Sequence, residues 1–193
     1  FWNYSGKDYA GTWKMREKGQ TFFTVYNIGE SHESRAFGDH KDESVDPEEM
    51  ILAPYHPDLP EMRNTYAKYA SAISRMDSLV GQAIENLKQD GLYENTIIVY
   101  NSDHGGVLAR SKRFLYSSGI HCPLIVRIPE KMKALYPKGK TPGSTMDRIV
   151  SFIDMPKTWV SLTGAEMKDQ FQGRVFLGPN TEPESQYHFS WRE

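Results

Sequence analysis

Asp103 and His104 stand side by side at the end of a strand-like run, NTIIVYN, and are followed by two glycines. A carboxylate and an imidazole at a strand end can ligate a divalent cation, and glycines let the backbone come close to whatever is bound. The same residues also read as an Asx-type turn with an incidental histidine. Lys112 and Arg113 follow within ten residues. Upstream, a second strand-like run, TFFTVYNI over 21–28, leads into Glu30, His32, Glu33 and Arg35. Two strand ends therefore carry groups able to do chemistry. Several histidines fall outside this pattern: His40, His56 and His188 have no evident partners and read as structural or surface residues. His121 reads equally as outward-facing or as part of a loop. Asp77 sits beside an apolar stripe, where local pairing explains it. Tyr55, in a proline-rich loop, reads as core or as the lining of a sugar site. Cys122 reads as a small hydrophobe entering a strand.

The elements that must hold these groups follow from pattern. The run 21–28 is β-branched and aromatic throughout, which predicts a buried strand. Met62, Tyr66, Tyr69, Ile73, Met76, Val80, Ala83 and Leu87 alternate at spacings of three and four. That stripe predicts an amphipathic helix over 61–90, stopped by Gly91. Strands are expected at 96–101 and 123–128, and a short helix at 154–162 between Asp154 as N-cap and Gly164 as stop. Strand, long helix, strand is the pattern of a βαβ crossover and a mainly parallel sheet flanked by helices. Ligands gather at the carboxyl ends of strands in such sheets, where both reactive clusters lie. The acidic stretch DHKDESVDPEE lacks the spacing of an EF-hand loop and reads as a solvated loop or a recognition insert.

Bulk properties narrow the field. The 193 residues carry a formal net charge of −2 and are 38% hydrophobic and 25% charged. Nucleic acid as a main partner would call for a basic surface, which this balance lacks. No apolar run approaches the length of a membrane span. A single cysteine excludes an internal disulfide and a CxxC metal site. The first residue is Phe and the last stretch is YHFSWRE, so both ends read as cuts through a larger protein.

With these elements in order, the chain resembles the type I sulfatases of the alkaline phosphatase superfamily. The resemblance rests on Ser-Asp-His-Gly after a strand, then Lys112, the turn from Tyr116 to Gly119, and Pro123 opening the next strand. It extends to TFFTVYNIGESHESR, to the helix preceding the Asp-His pair, to VSFIDMPKTWVSLTG and to QGRVFLG. The finer pattern is closest to the heparan-N-sulfatase-like group. The resemblance implies an α/β, alkaline-phosphatase-like sandwich with its N-terminal strands missing, residues 1–165 belonging to the catalytic domain. Residues 166–193 would then begin a small C-terminal α+β subdomain.

The implied activity is hydrolysis of a sulfate ester or sulfamate, on a small molecule or on a sulfated carbohydrate. Asp103 and His104 carry over as metal ligands, Lys112 as a sulfate contact, His32 as a sulfate contact or proton donor, and Arg35 as a substrate contact. The implied metal is Ca²⁺, with Mn²⁺ or Zn²⁺ as alternatives because an imidazole is softer than the oxygen ligands calcium prefers. A dication beside Lys⁺ would stabilise the spread negative charge of a sulfate, and a histidine can protonate a leaving group near neutral pH. The family's nucleophile, a formylglycine made in a Cys/Ser-x-Pro/Ala-x-Arg motif, has no counterpart; SAISR has Ile73 where Pro or Ala is needed. The nucleophile is thus expected upstream of Phe1, and the 193 residues alone are expected to be inactive. Two alternatives stand: a phosphodiesterase or phosphonate monoester hydrolase of the same superfamily, and an inactive relative that binds anionic sugars. The resemblance implies a periplasmic, secreted or lysosomal setting.

Overall fold

The computed structural model describes residues 12–37, 44–167 and 170–191; His40 lies outside them. The chain forms two compact units, residues 1–93 with 103–122, and residues 94–102 with 123–193. The architecture is mixed helix and strand.

In the first unit the long helix appears as expected, α2, spanning Pro60–Gln89. Proline suits the first turn because its missing N–H has no intrahelical partner there. At the other end Gly91 takes φ 66°, its N–H bonds to the Lys88 carbonyl, and the Leu92 N–H reaches the Leu87 carbonyl. That pair of bonds is the Schellman arrangement, and it needs a left-handed residue where glycine stands. The buried face is narrower than the apolar stripe suggests. Ala67, Ser71, Ala72, Ala83 and Leu87 are buried, whereas Ile73 is 38% exposed. Small side chains let neighbouring segments approach closely, so buried positions follow contact distance more than side-chain size. Ser71 accepts or donates a 3.0 Å hydroxyl contact with Ser44, so the serine of SAISR is a buried helix residue.

A short helix, α1, spans Glu33–Ala36, buries Ala36 and contacts α2. The run 21–28 differs from expectation: no strand is assigned to it, and its residues alternate between half-buried and exposed. Phe23 and Val25 are largely exposed while Phe22 and Tyr26 pack against Trp13. A strand buried on both faces needs cover on both, and only one face has it among the described residues. Trp13 is also pinned by its indole N–H, which donates to Asp90 at 2.7 Å.

In the second unit the strands β1 (Ile98–Asn101) and β2 (Leu124–Arg127) form a two-stranded sheet. They pair antiparallel, Ile98 opposite Arg127 and Asn101 opposite Leu124. The parallel pairing expected from the βαβ pattern is absent among the described residues. The loop and short helix between the two strands turn the chain back on itself, so they meet head to tail. The helix α4 (Asp154–Thr163) ends at Gly164 with φ 69°, as expected. Its N-cap is Ile153; Asp154 is the first helical residue. The Asp154 carboxylate accepts from the Ser151 and Arg174 backbone N–H groups, each at 2.8 Å. Thr158 donates to the Asp154 carbonyl and accepts from the Phe176 N–H, and Trp159 meets Phe176 edge to face. Val175, Phe176 and Leu177 are buried as a result. These bonds tie 174–182 to α4 across the boundary expected near residue 165.

Candidate functional site

The Asp103–His104 pair sits at the head of a loop braced by backbone hydrogen bonds. The Gly105 N–H donates to the Gly119 carbonyl at 2.8 Å, and the Lys112 N–H to the Gly106 carbonyl at 2.8 Å. Ser111 and Phe114 close further turns onto Leu108 and Ser111. The glycines have a steric reason. A Cβ on Gly105 would collide with the Ser118 carbonyl, one on Gly119 with the carbonyls of Ser111 and Phe114, and one on Gly106 with the Tyr69 ring of α2. Gly119 belongs to the turn expected after Tyr116: its N–H reaches the Tyr116 carbonyl, opening the short helix α3 (Ser117–Ile120). His121 is exposed at the end of that helix and Cys122 is half-buried.

One ring nitrogen of His104 is fixed by the loop itself. Nδ1 lies 2.7 Å from the Gly105 carbonyl, an acceptor only, so Nδ1 carries the hydrogen and donates. In the neutral ring the lone pair then rests on Nε2, which is 3.6 Å from Asp103 Oδ1. Metal-binding histidines commonly use this arrangement, one N–H fixed on a carbonyl and the other nitrogen offered to the ion. The Asp103 side chain is 88% exposed. A carboxylate oxygen and an imidazole nitrogen fit a divalent cation as two ligands. No cluster of three or more His, Cys, Asp or Glu that could hold a metal occurs among the described residues.

Lys112 and Arg113 meet on the carboxylate of Glu33, the residue after His32. The Lys112 side chain is 20% exposed, and its Nζ lies 3.8 Å from Glu33 Oε2. Arg113 holds the same carboxylate with both terminal nitrogens, 2.9 Å to Oε2 and 3.5 Å to Oε1. Two cations on one carboxylate leave local positive charge in excess, a setting that attracts an anion. His32 is the N-cap of α1. Its Nδ1 accepts from the Ser34 N–H at 3.3 Å and lies 2.9 Å from Ser34 Oγ. With Nδ1 accepting, Nε2 carries a hydrogen, and the residue is exposed; proton donation from this position requires the protonated ring. Arg35, on the exposed side of α1, takes no part in this grouping. Glu33 has the role that sequence reasoning did not assign. Its place beside His32 was visible, but its ion pairs reach residues far along the chain.

His56, His188 and Asp46 have local structural partners. His56 donates through Nε2 to the Ala109 carbonyl at 3.1 Å and accepts the Tyr66 hydroxyl through Nδ1 at 2.7 Å. Tyr66 accepts in turn from the Ala53 N–H. The loop is thereby clipped to α2 and to the 50s segment. His188 contacts Ser190. Asp77 is exposed on α2, and Asp46 caps a 3-10 turn at Pro47–Glu49 within the acidic stretch.

Comparison with known proteins gives a consistent answer. The sequence model of the family described as Sulfatase matches residues 7–165. The chain is 31% identical over 212 aligned positions to an ulvan-active sulfatase of Formosa agariphila, covering 91% of this chain and 34% of that protein. It is 33% identical over 129 positions to an N-acetylglucosamine-6-O-sulfatase of Bacteroides thetaiotaomicron, covering 65% and 22%. A solved structure, described as a complex with its substrate D-glucosamine-2-N,6-O-disulfate, superposes with a TM-score of 0.55 at 27% identity, covering 66% of this chain and 26% of that one. The chain thus spans about a third or less of the length of these relatives.

Proposed function

Because the chain belongs to the sulfatase family and has its alkaline-phosphatase-like α/β fold, we propose that the protein containing it hydrolyses sulfate groups on a carbohydrate. The observation that carries this reading is the braced loop of 103–119. It offers a carboxylate and a fixed imidazole at one end and, farther along, the Lys112 ammonium paired with Glu33.

In this reading Asp103 Oδ and His104 Nε2 supply two ligands of a divalent cation, calcium by preference, with manganese or zinc suited to the imidazole. When bound, that ion would add a Lewis acid next to the sulfate oxygens. Lys112 contacts a sulfate oxygen. Its pairing with Glu33 at 3.8 Å is long for a charge-assisted hydrogen bond, so an arriving oxyanion can take the ammonium over while Arg113 keeps Glu33 in place. His32 presents its Nε2–H to the leaving oxygen or nitrogen, while Ser34 holds the opposite side of the ring. The attacking group comes from outside these residues, since no Cys/Ser-x-Pro/Ala-x-Arg sequence occurs in them; a formylglycine supplied elsewhere in the full protein fits the family.

Sulfate release from glucosamine 6-sulfate and glucosamine N,6-disulfate by the complete protein tests the reading. Turnover that falls about 100-fold in Lys112→Ala, the usual cost of one lost oxyanion contact, supports it. Turnover of a phosphodiester in preference to both sugars would move the assignment to the phosphoryl branch of the superfamily.

A further inference from the structure

Arg110 differs from the other basic groups of the loop. Its guanidinium carbon lies over the Tyr55 ring at 4.5 Å and over the Tyr116 ring at 4.2 Å. Lys112 and Arg113 share the Glu33 carboxylate, but no carboxylate or carbonyl among the described residues engages the N–H edge of Arg110. A guanidinium with rings against its planar surface and its donors unspent is pre-organised for a fork-shaped contact with an oxyanion. The ring contacts limit the rotamers it would otherwise lose on binding.

The backbone is equally constrained. Arg110 has φ 64°, and Arg113, on the other side of Lys112, has φ 74°; they are the two non-glycine residues with positive φ among the described residues. Arginine has no intrinsic preference for that region, so the surroundings must impose it. They do so from both sides: His56 donates to the Ala109 carbonyl, and Ser118 Oγ donates to the Arg110 carbonyl at 2.6 Å. Arg110 is two residues from Lys112, so their Cα atoms are at most about 7 Å apart. Tyr116 and Phe114 stack at 6.2 Å, and both are exposed, which adds aromatic surface for the apolar face of a sugar.

We infer that Arg110, braced by Tyr55 and Tyr116, binds a second oxyanion of the substrate, a carboxylate or sulfate on the reacting sugar or its neighbour, while Lys112 holds the sulfate to be removed. This rests on the sulfatase reading and extends it: the site selects sugars with two anionic groups over sugars with one.

Binding calorimetry on the complete protein tests this with three probes: glucosamine 6-sulfate, glucosamine N,6-disulfate, and a disaccharide joining an unsaturated uronate to glucosamine 6-sulfate. Arg110→Asn is the informative variant, because Asn tolerates positive φ and its thermal midpoint should match the parent. It should weaken one or both two-anion probes about tenfold or more, as expected for losing a charged hydrogen bond, and glucosamine 6-sulfate less than about twofold on the same reasoning. The probe that loses affinity tells whether sulfate or carboxylate is the partner. Arg110→Lys, which keeps the charge without the fork, should fall between; it also serves if the Asn variant misfolds. Equal affinities in parent and variants, or equal losses for all three probes, would overturn the role of Arg110 while leaving the sulfatase reading intact. A parent protein that binds none of the probes would overturn both.

Discussion

Replacing Gly105 or Gly119 by alanine should destabilise the protein, whereas Gly81→Ala should stabilise it. The three positions differ in what a Cβ would meet and in backbone setting, Gly81 lying inside α2. At Gly105 it would run into the Ser118 carbonyl and the Gly119 Cα, and at Gly119 into two carbonyls. These are backbone atoms held by the Gly105–Gly119 and Phe114–Ser111 hydrogen bonds, so no side chain can swing aside. The loop must open or distort, at the cost of overpacking and of at least one backbone bond, together about 3 kcal/mol. At Gly81, within α2, no atom lies within 4 Å of the added methyl, and alanine gains about 0.5–1 kcal/mol through helix propensity. At about 2–4 °C per kcal/mol for a domain of this size, the first two variants should melt roughly 6–12 °C lower and the third a few degrees higher. Differential scanning calorimetry of the complete protein reads all three. A Gly105→Ala protein as stable as the parent would refute the close approach of the two backbone segments, and with it the account of how Lys112 is placed.

Asp154→Ala in α4 should cost about 3 kcal/mol, because it strands the Ser151 and Arg174 N–H groups that the buried carboxylate accepts; urea unfolding measures it. Glu182 predicts an acid-sensitive step. The Val175 N–H first, and then Lys157, hold its carboxyl below the ordinary value of 4.5. A carboxyl lowered in the folded state contributes stability above the unfolded value and loses it as pH falls through the folded one. Stability should therefore drop below about pH 4.5, and Glu182→Gln should flatten that part of the profile; an unchanged profile would remove Glu182 as the cause.

The sequence made the local devices legible. The period of three and four, with Gly91 at its end, marked α2 to within a residue, because the stop signal is encoded next to the place it acts. Gly164 marked the end of α4 for the same reason. The buried face of α2 was harder to read: Ser71 and Ala72 lie inside while Ile73 is partly exposed, since burial depends on which segments arrive from elsewhere. The direction of β1 relative to β2 and the one-sided cover of 21–28 are likewise settled by distant partners. In the site, Asp103, His104, Lys112 and Gly119 were visible as a spaced group on one loop. The convergence on Glu33 and the clamp of Tyr55 on Arg110 join residues from separate segments, and spacing carries no signal for either.

The most direct test of the account is the metal content of the complete protein. The account predicts that a divalent cation purifies with the parent, that Asp103→Asn and His104→Ala each reduce its occupancy without lowering the melting temperature of the metal-free form, and that sulfate release falls in step. A parent protein that releases sulfate with no bound divalent cation, or an Asp103→Asn variant that keeps full metal and full turnover, would contradict it.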